Sequence, residues 1–208
     1  ITLSRKKPHK ILKREKFFKT DIRDKNSITN NLKIIKKKLG LPDVVIYAAY
    51  FRDNKIKNNQ EIHFKENAYS SYYVNNIFAK TAKNKKKISF INISSIYGLN
   101  GPDLNLYSKA DYIPKADYAY NKAGMINLVK YLSSIYGKYG HRFNCVSFGG
   151  LENKLVNKNF KKKYISKVPL GRMMRKDDII GVIEFLSSES SSYITGTNII
   201  VDGGYSSI

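Results

Sequence analysis

The run KISFINISSIYG, residues 87–98, restricts the possible folds more than any other stretch of this chain. It is short, apolar and β-branched, and it ends in small polar residues, the pattern of a strand covered on both faces that opens into a loop at its C-terminal end. A second run of this kind, RFNCVSFGG, occupies residues 142–150 and closes on two glycines. Between the two, residues 118–136 place Met125, Val129, Leu132 and Ile135/Tyr136 three or four apart, the spacing of an amphipathic helix packed on a sheet. Gly137 and Gly140 end that helix. Strand, helix and strand in this order predict an α/β domain built on a doubly wound parallel sheet, with its functional site at the strand ends.

The other segments fit the same plan. ITLSR (1–5) and FFKTDI (17–22) read as strands, the second ending in Asp21, with a basic linker between them. DVVIYAAY (43–50) is the next strand and NIIV (198–201) the last, and helices are expected over 27–39, 61–81 and 178–186. A chain of 208 residues with 42% hydrophobic content suits a single domain, residues 1–208, with a real core. Cys145 is the one cysteine, which excludes an internal disulfide and fits a reducing compartment. No apolar run approaches 18 residues and no signal peptide is seen, so the expectation is a soluble cytoplasmic protein without membrane partners.

A formal charge of +22 invites a nucleic-acid reading. The basic clusters at 5–7, 36–38, 85–87 and 161–163 are nevertheless dispersed, fall where helices end or loops begin, and carry no aromatic-basic recognition motif. They read as solvated faces, with no nucleic-acid partner. His63 has no second His or Cys at metal-ligand spacing, so no metal site is expected.

The chemistry is concentrated in YAYNK, residues 118–122. Tyr118 and Lys122 are four apart and share one face of the helix's first turn. A free tyrosine, with a pKa near 10, is a poor acid/base at neutral pH, but an ammonium within about 4–6 Å favours the phenolate. The pair is thus a tunable proton donor and acceptor, although five residues alone read first as an ordinary surface Tyr and Lys.

With Ser95 at one strand end, Tyr118 and Lys122 on the next helix and a glycine turn after the following strand, the chain resembles the short-chain dehydrogenase/reductase family. The likeness continues through residues 168–204, VPLGRMMRKDDIIGVIEFLSSESSSYITGTNIIVDGG. It implies a Rossmann-like domain that transfers hydride between a nicotinamide and a carbonyl or hydroxyl carbon. By that resemblance Tyr118 exchanges the proton, Lys122 lowers its pKa and holds the nicotinamide ribose, and Ser95 binds the substrate oxygen. Asn67, 28 residues before Ser95, takes the place of the family's proton-relay asparagine.

The resemblance also assigns the cofactor. Arg5 stands where a basic residue accepts the 2′-phosphate of NADP, which favours NADP with NAD as the alternative. Asp21, followed by Ile22, matches the aspartate that meets the adenine amino group, and Ala48 and Ala49 lie beside the adenine. Gly149 matches the glycine under the nicotinamide, and Leu151 the residue whose backbone meets the carboxamide. Two departures stand out. Tyr47-Ala48-Ala49-Tyr50 replaces Asn-Asn-Ala-Gly, and Phe148 replaces a proline, which predicts a looser turn or one wedged by the aromatic. Ser95 and Tyr118 are 23 positions apart, against about a dozen in most relatives, and the polar segment 102–115 between them should be a loop over the substrate. That insertion, with the AAY, resembles the flagellin modification protein A branch, associated with sugar biosynthesis. Residues 152–167 are expected to form a mobile lid.

The first glycine is Gly40, so no phosphate-cradling turn precedes the first recognisable strand. In the resembling family a strand, a glycine-rich turn and a helix come before it, and that strand lies at the sheet's centre. The reading is a truncated chain whose neighbouring strands lack ladder partners and which is by itself inactive. A dimer or tetramer is expected from helix 118–136 and from the last strand with its helix. The alternative reading is a non-catalytic relative that binds a partner or polyanion through its basic surface.

Overall fold

A computed structural model describes residues 1–8, 10, 13–52, 60–108 and 113–208. Its strands, all paired in parallel, fall into two sheets. β1 (Thr2–Ser4) pairs with β2 (Phe17–Lys19), and β3 (Val44–Tyr47), β4 (Ser89–Ser95), β5 (Arg142–Phe148) and β6 (Asn198–Val201) follow one another in a second sheet. Register is tightest at the centre, where Ser89 to Ser95 lie opposite Arg142 to Phe148. There the neighbouring rings of Phe90 and Phe143 stack with centroids 4.2 Å apart.

Strand alternation sends side chains to two different layers. Val45, Phe90, Phe143 and Cys145 point to one face, against Leu32 of α1 (Lys25–Leu39), Phe78 of α2 (Gln60–Ala82), and Val129 and Leu132 of α3 (Ala116–Tyr136). Ile91, Val146 and Phe148 point to the other, against Leu186, Val182 and Ile183. These last three belong to α5 (Asp177–Ser187), so helices cover both faces, as doubly wound folds require. Burying a side chain of the Val or Leu class contributes about 1.5–3 kcal/mol, which makes these two layers the main source of stability. A buried polar pair crosses the first layer: the amides of Asn75 and Asn92 bond each other at 2.8 and 3.2 Å and tie α2 to β4.

Local details differ from the sequence reading at three places. β2 ends at Lys19, and Asp24, whose carboxylate accepts from the Asn26 N–H at 2.8 Å, caps α1. The expected wedge at Phe148 is absent because that ring is buried in the α5 layer. The expected lid contains α4 (Lys158–Ile165), which is anchored through buried Tyr164. Of the insertion 102–115, residues 104–106 form a 3₁₀ turn with Leu106 buried, while 109–112 lie outside the described residues. So do positions 9, 11 and 12 of the basic linker.

Between the two sheets lies a cavity of about 430 Å³, walled by β1 on one side and β3 on the other. β4 and β5 are buried almost throughout, whereas β1 is half-buried and Ile46 on β3 is 49% exposed. The strands beside this cavity therefore lack the cover that the central ones have.

Candidate active site

β4, α3 and the turn after β5 converge on one cavity of about 500 Å³, lined among others by Ser95, Tyr97, Tyr107, Tyr118, Gly149 and Gly150. Ser95 is the last residue of β4, where the strand gives way to a 3₁₀ turn over residues 96–98. Its Oγ accepts from the Tyr97 N–H at 3.2 Å, which leaves the hydroxyl proton to donate to a ligand oxygen. Tyr118 stands in the first turn of α3, half-buried at the cavity wall. One turn on, Lys122 points back beneath it, 5% exposed, with Nζ 5.6 Å from the Tyr118 ring centre.

The ammonium is held by the chain itself, since Lys122 Nζ donates to the Ile93 carbonyl of β4 at 2.6 Å. Burial lowers its pKa to about 8, so at neutral pH it still carries charge next to the phenol. Gly98 explains how α3 comes this close to the turn after β4, because a Cβ there would meet the Lys122 carbonyl carbon at 2.7 Å and Ser94 Oγ at 2.9 Å. Ser94 Oγ in turn donates to the Lys122 carbonyl at 2.8 Å.

Other tyrosines share the cavity but not this environment. Tyr97 and Tyr107 join hydroxyl to hydroxyl, and burial with that bond pushes the Tyr97 phenol strongly up. Tyr164 is pushed up to about 12 by burial, and its oxygen accepts the Gly150 N–H at 2.7 Å. This bond fixes the turn after β5 without a proline. Gly149 has no room for a side chain, with Asp202 Cα 2.9 Å from a built Cβ.

Beyond the turn, the Gly150 carbonyl accepts from Met174 N–H at 3.0 Å, and Glu152 N–H donates to the Met174 carbonyl at 2.8 Å. Because alternate residues of an extended segment face opposite ways, this pairing turns the Leu151 N–H away from Met174. With two further ammonium protons on Lys122, these are donors suited to the ribose and carboxamide of a nicotinamide. That end of the cofactor fits the residues present. For its pyrophosphate, residues 1–39 contain no glycine to form a close-approach turn.

The adenine-side candidates lie elsewhere on the same sheet end. Arg5 is exposed and 5.5 Å from the Phe51 ring centre, and Arg23 lies over the same ring at 4.4 Å. Both Asp21 oxygens are taken by Arg23, its NH2 at 2.6 Å, and this hydrogen bond is the main cause of a lowered Asp21 pKa. Ile22, Ala48 and Ala49 line the cavity between the sheets.

Asn67 is not among the residues lining the active-site cavity. Its amide clamps the loop after β3, with Oδ1 accepting from Phe51 N–H at 2.6 Å and Nδ2 donating to the Phe51 and His63 carbonyls at 2.9 Å. Two further residues escaped the sequence reading. Tyr50 packs edge-on against Tyr118 at 5.1 Å and donates its hydroxyl to buried Asp117, and Arg23, paired with Asp21, shares the Phe51 ring with Arg5. The replacement of the family's glycine by Tyr50 was the visible signal for the first, and the Asp-x-Arg spacing for the second.

The ends of a parallel α/β sheet thus bring a serine hydroxyl and a phenol to one cavity, with a buried ammonium behind the phenol. A family profile described as Enoyl-(Acyl carrier protein) reductase matches residues 4–206. The chain belongs to the short-chain dehydrogenase/reductase family. D-arabinitol 2-dehydrogenase (ribulose-forming) of Scheffersomyces stipitis is 35% identical over 157 residues, 71% of this chain and 53% of that protein. The 3-oxoacyl-(acyl-carrier-protein) reductase of Chlamydia trachomatis is 39% identical over 119 residues, 56% of this chain and 44% of that protein. The chain thus spans about half the length of these curated relatives. A short chain dehydrogenase from Leptospira borgpetersenii, solved with bound NAD+, superposes with a TM-score of 0.83 at 28% identity, over 98% of this chain and 81% of that one.

Proposed function

We propose that the protein is part of an NAD(P)-dependent oxidoreductase that interconverts a carbonyl and a carbinol. The observation that carries this reading is the shared cavity of Ser95 and Tyr118 with the Lys122 ammonium buried behind the phenol. The Ser95 hydroxyl holds the substrate oxygen, Tyr118 gives it a proton in reduction and takes one in oxidation, and Lys122 favours the phenolate between the two. A bound nicotinamide supplies or accepts the hydride. Gly149, Gly150 and the Leu151 backbone orient the ring, while Lys122 also serves the ribose. A relay role for Asn67 would run through its backbone and water, because its amide is spent on Phe51 and His63.

Exposed Arg5 beside Phe51 supports a preference for NADP over NAD, since its guanidinium offers forked donors to a 2′-phosphate, while Arg23, paired with Asp21, adds positive field. Asp21 and Ile22 would border the adenine. The substrate is a sugar derivative, in keeping with the resemblance of the insertion to that of the flagellin modification protein A branch. The chain acts in the cytoplasm, in keeping with buried Cys145, and among the described residues no helix is long and apolar enough to cross a membrane. Exposed Tyr131 and Ile135 on α3, and Ile180 and Phe185 on α5, support assembly into a homodimer or homotetramer. Titration of NADPH and NADH into the protein, followed by cofactor fluorescence, tests the reading. Saturable enhancement, stronger for NADPH, is expected, and the absence of binding for both would overturn it.

A further inference from the structure

Tyr50, in place of the family's glycine, reaches from the loop after β3 to the first turn of α3 and makes two contacts there. Its ring meets the Tyr118 ring edge-on, with centroids 5.1 Å apart and planes at 80°. Its hydroxyl donates to the carboxylate of Asp117, the residue before Tyr118. The loop that carries it is also fixed from the other side, because the Asn67 amide holds both the N–H and the carbonyl of Phe51. Phe51 thus ties the loop to α2, and Tyr50 ties it to α3.

Asp117 is a costly residue to bury. It is 1% exposed, its Oδ1 has no hydrogen-bond partner, and among the described residues the Tyr50 hydroxyl is the one donor to its carboxylate. An acid in the first turn of a helix ordinarily serves the backbone N–H groups there, but Asp117 accepts from none of them. Asn121, one turn on, donates to the backbone carbonyl of Asp117 at 2.8 Å and not to its side chain. A carboxylate so sparsely held costs stability without capping the helix. Its position beside Tyr118 gives it another use.

The groups around the Tyr118 phenol come from three elements. α3 supplies Asp117 and the Lys122 ammonium, the latter 5.6 Å from the ring centre; the loop after β3 supplies Tyr50; and the end of β4 supplies Ser95 and then Tyr97, whose ring lies 6.5 Å away. Tyr107 and Tyr164 line the same cavity. Of these groups, Lys122 and Asp117 are the two that ordinarily carry charge at neutral pH, and their signs are opposite.

We propose that Tyr50 and Asp117 are positioning residues for Tyr118: the buried carboxylate opposes the Lys122 ammonium at the phenol, and the Tyr50 hydroxyl, by holding that carboxylate, limits its pull. A phenol balanced in this way can give a proton as readily as it takes one. Its use in catalysis rests on the proposed function, whereas the balance itself can be measured without turnover.

The measurement is the titration of the Tyr118 phenol by NMR of protein labelled with carbon-13 at tyrosine Cζ, the signal being assigned by its loss in Tyr118→Phe. Tyr50→Phe keeps a ring against Tyr118 and removes the donor to Asp117, so the phenol should titrate higher by about half a pH unit or more. Asp117→Asn removes the charge and keeps an acceptor for Tyr50, so the phenol should titrate lower by a similar amount. Unmoved signals from Tyr47 and Tyr136, both buried in the first layer, show that each variant folds. Shifts of opposite sign support the proposal, since a merely loosened site would not produce them. An unmoved phenol in either variant, or shifts in the same direction, overturns it. Opposite shifts in a protein that binds no nicotinamide would uphold the pair and remove the oxidoreductase reading instead.

Discussion

Lys122 Nζ hydrogen-bonds the Ile93 carbonyl at 2.6 Å, which fixes a buried ammonium one helical turn beneath Tyr118. One contact thereby joins the helix that carries the acid/base to the strand that ends in Ser95. The site is thus tied to β4, a strand buried almost throughout.

Tyr118→Phe removes one oxygen from the cavity wall and leaves the ring packed against Tyr50 at 5.1 Å. Turnover should fall by about 10²–10⁴, the usual contribution of a positioned acid/base, with cofactor affinity within a few-fold. Steady-state kinetics and cofactor titration check this. Turnover within tenfold of wild type would remove Tyr118 from its role.

Lys122 makes the protein less stable at neutral pH than an apolar residue would. Its pKa is lowered by burial from 10.5 to about 8, so between those values the unfolded chain binds more protons and stability rises with pH. Below about 8 both states are protonated and the full cost, roughly 3 kcal/mol, is present. Lys122→Met should therefore raise the denaturation midpoint at pH 7, with the gain shrinking toward pH 10.5, while turnover is lost. Urea melts across that range test it, and a destabilised variant at pH 7 would contradict it.

Asn67 both donates to and accepts from the Phe51 backbone, which separates two replacements. Asn67→Asp keeps the acceptor for the Phe51 N–H and loses the donors, and Asn67→Ala loses all of them. Stability should fall by about 1–3 kcal/mol for each buried group left unpaired, and Asp at pH 7 adds a buried carboxylate facing two carbonyl oxygens, so Asp should cost more than Ala. Equal costs in chemical denaturation would mean that the clamp is not what holds the loop.

Arg5→Asp should shift cofactor preference toward NAD by several-fold, and Arg5→Asp with Arg23→Asp by more. Arg23 is already engaged with Asp21 while it lies over Phe51, so it retains part of the positive field in the single variant. Ratios of kcat/KM for the two cofactors measure this. An unaltered ratio in the double variant would show both to be solvated side chains.

Most of the β4–α3–β5 unit was legible because its determinants are local. β-branched runs mark strands buried on both faces, and the three-to-four spacing of Met125, Val129 and Leu132 marks the face of α3 that they cover. Tyr118 and Lys122 could be paired from spacing alone. What was not legible depends on contacts between distant segments: Tyr50 with Asp117, 67 residues away, and Asn67 with Phe51, 16 away. The anchoring of α4 by Tyr164 on Gly150 is of the same kind, a bond that composition rich in Lys and Asn does not announce.

The most direct test of the central claim is transfer of deuterium from nicotinamide cofactor labelled at C4 to a panel of ketoses and 3-oxoacyl thioesters, followed by mass spectrometry of the products. The mechanism predicts one deuterium on the new carbinol carbon with the wild-type protein and its loss with Tyr118→Phe. Equal incorporation by both proteins, or bound cofactor with no incorporation into any carbonyl of the panel, would contradict it.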